Sequence, residues 1–252
     1  MAGRIGKAFC SGLVPEKRVP VEAPPDTRLV ADNPGMDAAT SLALPALSLL
    51  ALAVLAGLAR GADWRGLVAG GRPDVWLGAS VVLMVLWRMR AGAPLGLDLH
   101  LAGATVAYLM FGLRLAGVAL ALAALGSALA AGRPWLGIGP EWLVQGVVPL
   151  LASAVLIPIA ERRLPAHPFV FLWGYGFLVS GLAVMLGGMA QTALYAGLGT
   201  MSWQRLGEEV LPFFFLLSLS EAFTAGALLT LMVVYRPAWV ARFDDARYLR
   251  RP

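Results

Sequence analysis

The chain has 252 residues, 59% of them hydrophobic, and a mean hydropathy of +0.74. Several runs exceed the ~17 apolar residues a membrane helix needs, which excludes an ordinary water-soluble domain and predicts a polytopic all-α membrane protein. The formal charge is +5, but the basic residues stand singly in loops and at the C-terminal end, as membrane anchors do, which excludes nucleic acid as a partner; the single cysteine, Cys10, excludes a disulfide framework or a cysteine metal cluster within one chain.

Residues 1–35 carry Pro15, Pro20, Pro24, Pro25 and Pro34, mixed charge and no long apolar run, so they are expected to be disordered. Met36 follows directly and is expected to be the functional start, with a real flexible tail as the alternative reading of 1–35. One membrane domain is expected over 36–238 and a basic tail over 239–252. Lysine occurs only at Lys7 and Lys17, and the abundance of Ala, Gly, Leu and Arg suggests a bacterial coding sequence, hence a bacterial inner membrane.

About seven helical spans are predicted, near 41–58, 75–87, 97–113, 115–131, 142–160, 169–198 and 211–235. Only Gly112 and Arg114 punctuate the third and fourth, which therefore form a tight hairpin or one long broken helix. Residues 60–74 and 132–141 read as loops. The sixth segment is long enough for a helix plus a re-entrant or surface portion. Seven spans put the termini on opposite sides. Counted from Met36, Arg60, Arg65, Arg72, Arg114, Arg162, Arg163, Arg236, Arg242, Arg247, Arg250 and Arg251 fall on the C-terminal side, against Arg88, Arg90, Arg133 and Arg205 on the other. This bias predicts a cytoplasmic C-terminus.

The last segment, LPFFFLLSLSEAFTAGALLTLMVVY, holds one ionisable side chain, Glu221. A carboxylate at that depth must face protein, a partner or a water-filled cavity. Ser218, Glu221 and Ala225 share a helical face with Thr224 alongside. The open readings are a cation site, a proton relay or a hydrogen-bonded anchor between helices, with Arg114 and Arg162 as conceivable partners. The other polar mark is Asp98 with His100. If helical, His100, Gly103 and Ala107 share one face, and the small residues leave room beside the imidazole. His100 reads either as a metal or proton ligand near the membrane surface, or as an interfacial histidine bonded to a loop. His167, between prolines, reads as structural. Met185 and Met189 read as helix packing, and Asp244 and Asp245 as a solvated tail. No HExxH, GxSxG or Walker loop occurs, so no enzyme is expected.

Two stretches carry a resemblance. His100 to Gly112, HLAGATVAYLMFG, and Glu221 to Pro237, EAFTAGALLTLMVVYRP, resemble segments of the CbiM-like substrate-binding membrane subunits of cobalt and nickel energy-coupling-factor transporters. The C-terminal VVYRPAWVARF and RYL resemble a divergent branch of predicted membrane proteins grouped with the permeases of such transporters. The resemblance implies a CbiM-like helical subunit that captures a divalent transition-metal ion as substrate, with no permanently bound cofactor. It also implies a membrane coupling subunit and cytoplasmic ATPases as partners. Carried over residue by residue, it makes His100 a metal ligand, with Asp98 beside it. Gly103, Thr224 and Gly226 fall among its small helix-face positions. The family's site also uses the N-terminal amine and a histidine at the second position. This chain has no histidine there, and Met36 with Asp37 is the candidate replacement. The competing expectations are a non-transport assembly or interaction protein that keeps the fold, and a cation-coupled secondary carrier using Glu221.

Overall fold

Inside a bilayer a backbone must satisfy its own hydrogen bonds, and here the apolar runs do so as helices. The computed structural model describes residues 34–92, 98–198 and 202–248. The elements are α1 (Pro34–Gly61), α2 (Trp64–Ala69), α3 (Pro73–Arg88), α4 (Ala104–Ala130), α5 (Trp135–Arg163), α6 (Val170–Gly197), α7 (Leu206–Tyr235) and a short α8 (Asp245–Tyr248). Between α3 and α4, β1 (Ala91–Gly92) and β2 (Asp98–Leu99) form an antiparallel pair, with Ala91 opposite Leu99 and Gly92 opposite Asp98. Residues Gly35–Pro252 form one compact unit. The expected disorder of the N-terminal stretch falls on residues outside the described ones, except that Pro34 and Gly35 already belong to α1.

Among the described residues five helices are long and apolar enough to cross a membrane: α1 from Leu42, α4, α5, α6 and α7. The expected seven passes become these five helices with two shorter legs, α3 and the first part of α4. That first part turns back on the rest. Trp87 Nε1 donates to Ala102 O at 3.1 Å, while Ser127 Oγ donates to Trp87 O at 3.0 Å. In a straight helix residues 102 and 127 would lie about 37 Å apart at 1.5 Å per residue. The chain reverses at Gly112, which has φ 74° and ψ 179°. At the opposite end of α3, Trp76 Nε1 reaches Leu115 O at 3.0 Å, just past the reversal. α4 is therefore a hairpin of a half-helix, 104–111, and a spanning leg, 113–130. Every residue of the half-helix is buried.

Gly112 occupies a region of backbone space that is essentially reserved for glycine. A Cβ there would meet nothing within 4 Å, so the obstacle to a side chain is the backbone alone. Gly112→Ala is expected to lower thermal stability by about 1–3 kcal/mol, the usual cost of such a conformation. A melt in detergent that matches wild type would contradict the hairpin geometry.

Helix boundaries depart from the sequence reading in two places. Residues 132–141 were expected as a loop, but α5 begins at Trp135 and carries Pro140 inside it. A proline removes the hydrogen bond to the carbonyl four residues earlier. That carbonyl, Leu136 O, is taken up by Ser48 Oγ of α1 at 3.0 Å, and a π-helical turn over Trp142–Val147 absorbs the remaining misfit. The sixth segment, expected to include a re-entrant portion, is a single helix, α6. It lies against α7 through its glycines; a Cβ on Gly188 would fall 2.3 Å from Phe214 Cγ. The re-entrant element is the half-helix instead.

The polar loop after α1 holds α2, whose N-terminus is capped by Asp63, its Oδ1 accepting from Gly66 N at 2.8 Å. After α7 the chain folds back rather than leaving the bundle. Val240, Phe243 and Tyr248 are buried, with Phe243 and Tyr248 packed on Phe171 of α6, each at 5.0 Å between ring centroids. Asp244 is exposed, and its Oδ1 accepts from Ala246 N.

Candidate functional site

His100 lies ahead of the helix, in the short connection between β2 and the half-helix. The helical face expected for His100, Gly103 and Ala107 is therefore not formed. Gly103 instead caps the half-helix with φ 64°, and a Cβ on it would fall 2.4 Å from Leu83 Cδ2. This connection is held by Glu221. Its carboxylate accepts from Ala102 N at 2.9 Å and from Gly103 N at 2.7 Å. The charge thus sits at the positive end of the half-helix dipole, on the amide of the N-cap Gly103 and on that of the residue before it. Its partners are backbone amides and not Arg114, which donates to Gly61 O at 2.5 Å. Ser218, Glu221 and Ala225 are buried on one face, as their spacing predicts. An open apolar groove of about 520 Å³ runs beside Glu221 between α3, the half-helix and α7; Gly103 and Thr224 help line it. Gly226 packs elsewhere, toward Phe177 of α6.

His100 is 3% exposed, and its imidazole lies against Trp87, with ring centroids 4.4 Å apart. Nδ1 lies 3.2 Å from Leu101 O. A carbonyl oxygen only accepts, so this contact puts a proton on Nδ1 and, in the neutral ring, leaves the lone pair on Nε2. Nε2 is buried and makes no hydrogen bond among the described residues. It faces Glu141 Oε1 at 3.5 Å.

Glu141 is the residue the sequence reading missed. Its Oε1 also takes Arg90 Nη2 at 2.6 Å, and its Oε2 takes Arg133 Nη1 at 2.5 Å. Three segments far apart in sequence thus meet: the end of α3, the connection before α4 and the start of α5. Arg90 is fixed further by Nε to Trp87 O at 3.0 Å and by Nη2 to Ser127 Oγ at 3.3 Å. A ring nitrogen and a carboxylate oxygen 3.5 Å apart can bracket a cation. With metal bonds of about 2.0–2.1 Å the angle at the ion would be about 113–122°, between tetrahedral and trigonal.

No group of three His, Cys, Asp or Glu residues able to hold a metal occurs among the described residues. The Asp98 backbone pairs with Gly92 two residues before His100, and its side chain lies outside the described ones. Met36 and Asp37 lie in the first turns of α1, with side chains likewise undescribed. Ser48, twelve residues on, meets the start of α5, so an unbroken α1 carries Met36 about 18 Å past that level.

The remaining candidates separate from this cluster. His167 is exposed, its Nδ1 accepting from Phe169 N at 3.1 Å. Met185 packs inside near Leu206 and Phe214, whereas Met189 is 52% exposed, so the two thioethers do not converge.

No curated protein and no solved structure matches the chain. A family model does, over residues 37–239, a stretch that contains the half-helix, both carboxylates and His100. The chain belongs to the CbiM family, the cobalt uptake substrate-specific transmembrane region.

Proposed function

We propose that this protein is the ion-capturing membrane subunit of an energy-coupling-factor transporter for a divalent transition metal of the cobalt and nickel class. Membership in a cobalt uptake family supports a transport component and a metal ion as substrate. The observation that carries the site is His100 Nε2, buried, without a hydrogen bond and 3.5 Å from a carboxylate oxygen. The ion would bind this nitrogen, with Glu141 as an adjoining oxygen donor. Asp98 is the candidate for a further ligand, and Met36 with Asp37 could join it only if the first turns of α1 unwound.

In this reading the protein supplies binding, while a membrane coupling subunit and cytoplasmic ATPases supply energy. Those partners drive uptake by biasing the carrier between states of different ion affinity. The arginine distribution supports an orientation. Arg114 lies against Gly61, Arg72 donates to Ala238 O, and Arg242 pairs with Glu161, all at the end of the bundle away from His100. That end would be cytoplasmic in a bacterial inner membrane, with the C-terminus on it, and His100 would open outward.

The test is titration of the purified chain with cobalt, nickel, zinc and copper, wild type beside His100→Ala. Wild type is expected to hold one ion, and the variant to lose more than the about 10–100-fold in affinity that removing a group behind a metal ligand costs. No binding by folded wild type, or equal binding by the variant, would end this reading. One observation favours a second reading. Both oxygens of Glu141 are already held by arginines, as in a structural latch. A non-transport assembly protein that keeps this fold would tolerate His100→Ala and would not co-purify with an ATPase.

A further inference from the structure

The half-helix 104–111 is gripped at both ends by parts of the chain far from it in sequence. At its N-terminal end, Glu221 of α7 takes the amides of Ala102 and Gly103. At its C-terminal end, the returning C-terminal segment supplies the donors that the last turn lacks. Ala241 N donates to Met110 O at 3.3 Å, and Arg242 N donates to Leu109 O at 3.2 Å. The Arg242 guanidinium lies 4.8 Å over the ring of Tyr108, within the half-helix. Its Nη1 stands 3.1 Å from both oxygens of Glu161 on α5. A cation at a helix C-terminus and two amides on its free carbonyls complement the backbone there, as the carboxylate does at the other end.

These contacts sit on a well-anchored support. Val240 and Phe243 are buried on either side of them, and Phe243 stacks on Tyr248 at 5.3 Å. Burial pushes the Tyr248 hydroxyl up to about 12, so this anchor stays uncharged at physiological pH. The half-helix between the two grips is short, about 12 Å, and every one of its residues is buried. His100 precedes its cap by three residues.

We propose that the C-terminal segment 240–243, with Arg242 at its centre, is a positioning element for the His100 site, acting through the half-helix. The inference rests on His100 as the ion-binding residue. Its consequence is reciprocal: anything that draws the C-terminal segment off Leu109 and Met110 weakens capture at His100, and an ion at His100 tightens the segment. A cytoplasmic partner that engages the exposed side of this segment would therefore set the affinity at the opposite end of the half-helix.

The experiment compares full-length wild type, Arg242→Ala and Arg242→Lys by amide hydrogen exchange and cobalt titration. Lysine is a fair rescue because one nitrogen of Arg242 spans both Glu161 oxygens. Arg242→Ala is expected to speed exchange at 102–111 and to weaken cobalt binding about tenfold, a typical coupling between distant sites. Arg242→Lys is expected to restore most of both. Faster exchange confined to the tail, with Ala102 and Gly103 still protected and cobalt affinity unchanged, would overturn the proposal. If wild type binds no cobalt, the ion-capture reading fails and the exchange arm alone decides the coupling: protection at Ala102 and Gly103 either falls in Arg242→Ala or the inference is wrong. Should Arg242→Ala not fold, Glu161→Gln, which removes only the counter-charge, is read in the same way.

Discussion

Glu221→Ala is expected to be the most damaging single substitution in the membrane interior, lowering stability by about 2–5 kcal/mol. Glu221 is 2% exposed, so water does not replace it. Its loss strands the amides of Ala102 and Gly103, at about 1–3 kcal/mol for each buried donor left unmade. It also removes the charge that complements the half-helix dipole and opens space beside an existing groove. Glu221→Gln is expected to cost less, because the amide oxygen still accepts one of the two bonds. Glu221→Asp, one methylene shorter, is expected to fall between glutamine and alanine. Thermal denaturation in detergent, with hydrogen exchange at Ala102 and Gly103, distinguishes the series. An alanine variant as stable as wild type, with both amides still protected, would show that the carboxylate is not an anchor. A proton relay or carrier site at Glu221 would then regain its standing.

This role for Glu221 was only half legible in the sequence. Its burial followed from one ionisable group in 25 apolar residues. The identity of its partner did not, because the partner is backbone, 118 and 119 positions away. For the same reason the start of the half-helix was misplaced. Apart from Asp98 and His100 the run from Leu97 is apolar, and it has no Ser, Thr, Asp or Asn immediately before the helix to mark a cap. The cap is a glycine in the left-handed region, completed by a carboxylate from another helix. The reversal at Gly112 was visible as an alternative, since glycine and Arg114 were the only interruptions in that stretch. Choosing between hairpin and broken helix needed Trp87, which touches both legs. Pro140 read as a loop marker because the hydroxyl that serves its freed carbonyl, Ser48, comes from the first helix. The tail read as basic and solvated because charge dominates its composition, while Val240, Phe243 and Tyr248 do the packing. Glu141 left no signal beyond a carboxylate at the head of an apolar run. Arg90 and Arg133 looked like ordinary interface anchors, and nothing local joins residues 51 apart.

Glu141→Ala is expected to rank close behind, because it removes the carboxylate that both Arg90 and Arg133 bind. Removing one partner from a fully buried ion pair costs about 3–5 kcal/mol. These side chains are 11–25% exposed, so solvent screens part of that and about 2–3 kcal/mol is expected. Three features separate this loss from a simple packing defect. High salt should reduce it, because ions screen the two arginines from each other. Adding Arg133→Gln to Glu141→Ala should recover stability, giving a double variant more stable than the sum of the single losses. Glu141→Gln, which keeps the shape and two hydrogen-bonding atoms, should be the mildest change and yet still lose the salt-sensitive part. The same substitutions bear on ion capture. Glu141 Oε1 is the anionic atom 3.5 Å from Nε2 of His100, and its removal takes that negative charge from beside the ring nitrogen. Cobalt affinity should then fall by about 10–100-fold, the usual range for a group that supports a metal ligand. A variant that loses stability but binds cobalt as wild type does would assign Glu141 to fastening α3 to α5 and leave His100 to bind without it.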